Sequence, residues 1–168
     1  MLAITRAESP TDLAEARELF REYASGLDFD LVFQGFAEEV AALERAYAPP
    51  SACVLLAKWH GVAVGCAAIR PLDGPTCELK RMYVRGRLRG LGIGRCLGSV
   101  ARAAAREMGY ARMRLDTVPA MAAAIELYRS MGFVEIPPYR PNPVLGAIFM
   151  ELDRAAAGPV ARRGRRRV

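Results

Sequence analysis

The stretch Thr76–Gly98, TCELKRMYVRGRLRGLGIGRCLG, decides the fold. Cys77 to Val84 carries bulky residues suited to a strand, and the run Arg89-Gly90-Leu91-Gly92-Ile93-Gly94 opens directly into the helical spacing Cys96, Leu97, Val100, Ala101, Ala104, Met108. A strand that feeds a glycine-rich loop at the start of a helix makes an anion cradle. The first helical amides have no intrahelical partner, the glycines remove side chains that would hold a phosphate off, and the helix dipole adds about half a positive charge at that end. Three nucleotide motifs share this outline. A dinucleotide fingerprint G-x-G-x-x-G would need glycine at position 95 or 97, where Arg95 and Leu97 stand, and a Walker loop would need a lysine, yet none follows Lys80. What remains is R-x-x-G-x-G, residues 89–94.

Outward from this stretch the chain alternates helical and strand periods. Residues 2–7 fit a first strand, and Ser9-Pro10-Thr11-Asp12 supplies helix-start chemistry for an amphipathic helix over 11–24 marked by Leu13, Ala16, Leu19, Phe20 and Tyr23. Residues 27–36 mix acids with bulky apolar side chains and have no clear period; a second helix is predicted over 37–46, closed by Pro49-Pro50. Strands over 54–58 and 62–70 form a hairpin about Trp59-His60-Gly61, and the turn Leu72–Pro75 leads into the strand 77–84. After the loop come a helix over 93–108 stopped by Gly109, a strand over 112–116 and a helix over 120–131 stopped by Gly132. Strands 133–136 and 147–152 close the pattern, with a proline-rich loop, 137–143, between them. The expected class is mixed α/β (α+β), with seven strands and about four helices.

At 168 residues the chain suits one ordinary domain. Its 52% hydrophobic and 25% charged residues make it globular. Of the net charge of +6, five sit on Arg162, Arg163, Arg165, Arg166 and Arg167, which leaves a nearly neutral body and removes the case for a specific nucleic-acid binder. The domain is expected over 1–153, with 154–168 a basic tail whose like charges and lack of an apolar period predict disorder. No apolar run is long enough for a membrane span and the N-terminus lacks a signal-peptide profile, so a cytoplasmic location is expected. Cys53, Cys66, Cys77 and Cys96 contain no C-x-x-C, and His60 is the lone histidine, so no metal site is expected, the thiols read as reduced and His60 as a solvated turn residue.

With R-x-x-G-x-G after a strand, and Leu127-Tyr128 in AAAIELYRSMGF some 34 residues past Gly94, the chain resembles the GNAT superfamily of acyl-CoA-dependent N-acyltransferases from the first strand to about residue 153. The resemblance implies a mostly antiparallel sheet of about seven strands, splayed at the cofactor strand, and acetyl-CoA as cosubstrate with no metal. It implies that the amides of Leu91, Gly92, Ile93 and Gly94 hold the pyrophosphate, with Gly90, Arg89 and Arg95 beside them. It further implies that backbone groups of Met82 and Val84 pair with the pantetheine, that the Met82 or Tyr83 amide meets the thioester oxygen, and that Tyr128 protonates or orients the departing sulfur. An asparagine that often starts the tyrosine's helix in the family is Met121 here.

Glu78 stands where some family members keep a glutamate that acts, often through water, as the base; the plainer reading pairs it with Lys80, two residues on along the same strand face. The acceptor pocket is expected from the irregular segments 27–36 and 137–146, with Asp28 and Asp30 facing a cationic amine and Arg81 and Arg140 a carboxylate. The function implied is transfer of an acetyl group to a primary amine of a small, amino-acid-like molecule. Acetylation of a protein lysine or N-terminus, and a non-catalytic acyl-CoA-binding module, stay open as alternatives, as does a homodimer. An arginine-tail interaction with anionic polymers would be an accessory.

Overall fold

The computed structural model describes residues 1–154; the arginine-rich tail from 155 on, with its expected disorder, lies outside them. Seven strands form one sheet in the order β1-β2-β3-β4-β5-β7-β6. They are β1 (Leu2–Arg6), β2 (Cys53–Trp59), β3 (Val62–Asp73), β4 (Thr76–Val84), β5 (Arg112–Thr117), β6 (Val134–Ile136) and β7 (Ile148–Asp153). Every pairing is antiparallel except β4 with β5, which run parallel.

Five α-helices pack on the sheet where about four were expected: α1 (Pro10–Ser25), α2 (Phe36–Ala41), α3 (Leu43–Ala46), α4 (Ile93–Glu107) and α5 (Ala122–Met131). The extra one arises because the predicted helix over 37–46 breaks at Ala42 (φ −118°, ψ 43°). Its cause is a side chain in the ladder. Arg17 Nε donates to Val40 O at 3.1 Å and so occupies a carbonyl that a continuous helix would need. The start of α1 follows the sequence closely. Ser9 Oγ accepts from the Asp12 amide at 3.1 Å while Asp12 Oδ2 accepts from the Ser9 amide at 3.3 Å, a reciprocal capping box with Pro10 at the first helical position.

The helices divide between the two faces. One apolar core gathers Leu55, Ile69, Cys77, Leu79, Leu97 and Leu115 under α4 and α5; the other gathers Leu19, Phe20, Leu43, Leu56 and Cys66 under α1 to α3. Close approach of β3 to β4 and α4 depends on Gly65, because a Cβ there would stand 2.8 Å from the Tyr83 carbonyl oxygen. Strand alternation then sends Cys77 and Leu79 toward α4, and Glu78 and Lys80 toward the opposite face. All four cysteines are free thiols, three buried and Cys96 exposed, and among the described residues no helix is long and apolar enough to cross a membrane.

Candidate active site

The parallel contact of β4 with β5 is short: Thr76, Cys77 and Glu78 pair with Arg112, Met113 and Arg114, and no pairing continues beyond them. From Leu79 to Val84 the side of β4 that faces β5 is therefore open, and a wedge separates the strands. It is lined by residues 79–82 of β4, residues 115–117 of β5, Tyr128 of α5, Met121 at the N-cap of α5, Tyr23 of α1 and Gln34. A roomier depression at the C-terminal end of α4, around Arg102, Tyr110 and Leu152, offers no comparable convergence of open backbone and titratable groups.

A bulge shapes the wedge. Cys66 pairs with Tyr83 and Ala68 with Lys80, so Arg81 and Met82 together oppose Ala67. Arg81 takes φ +56°, a left-handed conformation that costs a non-glycine residue about 1–2 kcal/mol. Its side chain holds it there. Arg81 Nε and Nη2 donate to the two oxygens of Glu39 at 2.8 and 3.1 Å, Nη1 donates to Gln34 Oε1 at 2.9 Å, and the guanidinium lies 5.0 Å from the Phe36 ring centre. Both charged side chains are buried.

Beyond the end of β4 the loop enters α4. Gly90 (φ +82°) and Gly92 (φ +80°) adopt positive φ with open space where a Cβ would stand. The first amide in the α4 ladder is that of Cys96, bonded to Gly92 O at 3.0 Å, so the amides of Ile93, Gly94 and Arg95 precede it. Arg89 and Arg95 are exposed at this end. Arg89 Nε donates to Val84 O at 3.0 Å, and its guanidinium lies 5.8 Å from the Tyr83 ring centre. Arg85, not singled out from the sequence, ties the end of β4 to α1 by donating to Glu22 at 2.6 Å and to Ala63 O at 2.8 Å.

Tyr128 is buried in the wedge wall with its ring 5.7 Å from that of Phe133. Burial pushes its phenol above the ordinary range, and among the described residues its hydroxyl has no hydrogen-bond partner. Thr117 Oγ1, also in the wall, is buried and unpaired. An unpaired buried hydroxyl is costly, and it fits a wedge built to receive a polar ligand.

On the face opposite α4, the apolar core gives way to charge. Arg70, Glu78, Arg114 and Glu151 are register partners across β3, β4, β5 and β7, an alternating row. Glu78 is fully buried, and both its oxygens are taken: Oε1 by Arg70 at 3.2 Å and Lys80 at 3.5 Å, Oε2 by the Tyr139 hydroxyl at 2.8 Å and by Arg140. The Glu78–Lys80 pairing is thus present, extended by two arginines and a phenol. Lys80 Nζ also donates to Gln34 Oε1 at 3.1 Å. Burial, then the like charges of Arg81 and Arg70, lower Lys80 to about 7.

The structure brings Lys80, Arg81, Met82 and Tyr128 to one wedge, with Glu78 paired to Lys80, Arg140 paired to Glu78, and the 89–95 loop tied to the end of β4 through Arg89 and Val84. Asp28 and Asp30 are not brought there; both are exposed, and Asp30 Oδ1 accepts from the Val32 amide two residues on, at 3.1 Å. The two arginines expected to face an acceptor carboxylate are each engaged by an internal one, Arg81 by Glu39 and Arg140 by Glu78. Gln34, Glu39, Arg70, Thr117 and Tyr139 escaped the sequence reading as single residues, although Gln34 and Tyr139 fall inside the two irregular segments.

The chain belongs to the GNAT acetyltransferase family, whose model matches residues 13–133. It is 38% identical over 154 residues to an uncharacterised N-acetyltransferase of Schizosaccharomyces pombe, covering 90% of this chain and 94% of that one. It is 32% identical over 139 residues to another from Escherichia coli, covering 81% and 82%. To rat N-acetylaspartate synthetase it is 34% identical over 135 residues, 78% of this chain and 45% of the relative. The fold is shared with a GNAT acetyltransferase of Staphylococcus aureus at a TM-score of 0.74 and 23% identity, over 92% of this chain and 99% of that one. It is shared too with an N-acetyltransferase of Thermoplasma acidophilum crystallised with coenzyme A, at a TM-score of 0.69 and 18% identity over 91% and 99%. The protein is therefore an acyl-CoA-dependent N-acetyltransferase. Open glycines, free helix-start amides and a splayed strand pair with an unpaired hydroxyl fit a ligand that carries a pyrophosphate on an amide-bearing arm. Among the described residues no group of three or more His, Cys, Asp or Glu is placed to hold a metal.

Proposed function

We propose that this enzyme acetylates the amino group of a small molecule that also carries a carboxylate. The carrying observation is the charged face beside the wedge. Arg70, Lys80, Arg81, Arg114 and Arg140 stand there against Glu39, Glu78, Asp116 and Glu151, and Arg140 Nε is buried without a partner. A guanidinium N–H left unpaired suits a carboxylate oxygen. Gln34, drawn from the segment 27–36, forms part of the wedge wall, which supports a small acceptor over a protein chain. The similarity to N-acetylaspartate synthetase points the same way, since aspartate carries two carboxylates.

In this reading the amides at 91–94 and Arg89 and Arg95 hold the pyrophosphate end of acetyl-CoA, which supplies the activated acetyl thioester. The open side of β4 at Met82 and Val84 aligns the arm as an added strand would, and the Met82 or Tyr83 amide receives the thioester oxygen as charge develops on it. A C–N bond forms as the C–S bond breaks. The nitrogen sheds its proton and the sulfur gains one through the Tyr128 hydroxyl, a neutral donor at physiological pH.

Thiol release from acetyl-CoA, followed over amino acids and their matching carboxamides, tests the proposal. The acids should exceed the amides in kcat/KM by at least about tenfold, the range of one lost charge-assisted hydrogen bond. Equal turnover, or activity confined to peptides, would refute a carboxylate-bearing acceptor.

A further inference from the structure

An acceptor amine reaches neutral solution as an ammonium and must lose a proton before it can attack. Glu78 stands in the expected place for the base, yet its two oxygens have four partners, so a proton reaches it only by displacing one of them. Lys80 is different. It is one of only two lysines in the chain, beside 22 arginines, and the other, Lys58, is bound to Asp12 and Glu15 at the start of α1. The remaining cations of the charged face, Arg70, Arg81, Arg114 and Arg140, are guanidinium groups that stay protonated at any working pH. Among these basic groups, only the amine of Lys80 can become neutral, and Lys80 lines the same wedge as Tyr128.

We infer that Lys80 Nζ takes the proton from the acceptor's ammonium. This rests on the reading of the wedge as the acyl-transfer site. The N–H bond of the acceptor breaks and an Nζ–H bond forms; the freed lone pair attacks the thioester carbon, and the protonated Lys80 returns its proton to solvent after product leaves. Its surroundings suit the task. Burial and the facing charges of Arg81 on β4 and Arg70 on β3 favour the neutral amine. Glu39 on α2, Asp116 on β5 and Glu78 on β4 oppose them, although Glu39 is matched by Arg81, and Glu78 by Arg70 and Arg140. Before the acceptor binds, neutral Lys80 leaves four cations against four carboxylates on this face. Proton capture creates the fifth cation beside the acceptor's own carboxylate, so capture and binding reinforce each other.

Two lysines make the test direct. With the side chains labelled with ¹³C at Cε and the signals assigned through Lys58→Arg, the Lys80 resonance should titrate near pH 7 in the full chain without any acceptor. A midpoint near the ordinary lysine value would overturn the proposal, whatever the acceptor proves to be. In kinetics, Lys80→Arg keeps the charge but cannot accept a proton. It should lower kcat by about 10²-fold at neutral pH with the acceptor KM little changed, and abolish the limb of the pH profile near 7. A Lys80→Arg enzyme with the wild-type rate and limb would refute it. Gln34→Glu, which sets a carboxylate against Nζ without removing the lysine, should move both the resonance and the kinetic limb up by about one pH unit; an unmoved limb would reduce Lys80 to a structural cation. If the limb behaves as stated while acids and carboxamides react equally, only the acceptor assignment fails.

Discussion

Replacing Glu39 by glutamine strands the charge that holds the bulge in β4. In the native protein Glu39 grips Arg81 through two bonds of 2.8 and 3.1 Å, and the side chains are 4% and 2% exposed. Removing one partner of a buried ion pair costs about 3–5 kcal/mol. Gln34 and the Phe36 ring still contact the guanidinium, which argues for the lower end, about 3 kcal/mol. With an m-value of roughly 2 kcal/mol per M, the urea midpoint should fall by about 1.5 M. The double substitution Glu39→Gln with Arg81→Gly removes the stranded charge and suits the positive φ at position 81, so it should recover a large part of the loss. Equilibrium denaturation followed by Trp59 fluorescence and far-UV circular dichroism reads both variants. A midpoint for the single variant within about 0.3 M of wild type would refute the reasoning, because the left-handed residue would then stand without its anchor.

Tyr128→Phe keeps the ring against Phe133 and removes only the hydroxyl, so kcat should drop by about 10²-fold while acetyl-CoA affinity, read by calorimetry, stays within a few-fold; an unchanged kcat would reduce Tyr128 to packing. The pH dependence of stability carries a signature from α1. The Lys58 ammonium, 2.9 Å away, and the Ser9 cap hold the Asp12 carboxyl well below its ordinary 3.8. A carboxyl depressed in the folded state lends stability above its unfolded value and loses it as pH falls through the folded one. Denaturation midpoints should therefore decline below about pH 4 less steeply in Asp12→Asn than in the wild type; parallel curves would count against the Asp12 contribution.

The strand, loop and helix of residues 76–98 were legible because their signals are local. Glycine spacing, strand composition and helical period sit within a few residues of one another, and the same holds for the capping box at Ser9 and the helix stop at Gly132. The bulge was not legible. No glycine marks Arg81, and the residue that stabilises its backbone, Glu39, lies 42 positions upstream on another element. The break at Ala42 was hidden for a similar reason, since its cause is a side chain from α1. Glu78 invited two readings because Lys80, two residues on, is visible in sequence, whereas Arg70, Tyr139 and Arg140 reach it only through sheet register and the folding of the proline-rich loop. Asp30 was misleading because an aspartate before a turn has local amides to satisfy before it can face any substrate.

The short β4–β5 contact has a mechanical side. Strands β1 to β4 come from residues 2–84 and β5 to β7 from residues 112–153, so each half of the sheet is a continuous piece of chain. Among the described residues only three residue pairs stitch the halves together. A ligand lying in the split touches both and acts as a strut, stiffening a seam that the backbone alone leaves loose. At a concentration about a hundredfold above its Kd, such a strut would add about 2.7 kcal/mol to the folded state. Amide hydrogen exchange along residues 112–117 would then slow on binding even where the ligand touches nothing, and the lifetime of the enzyme would follow the supply of its donor.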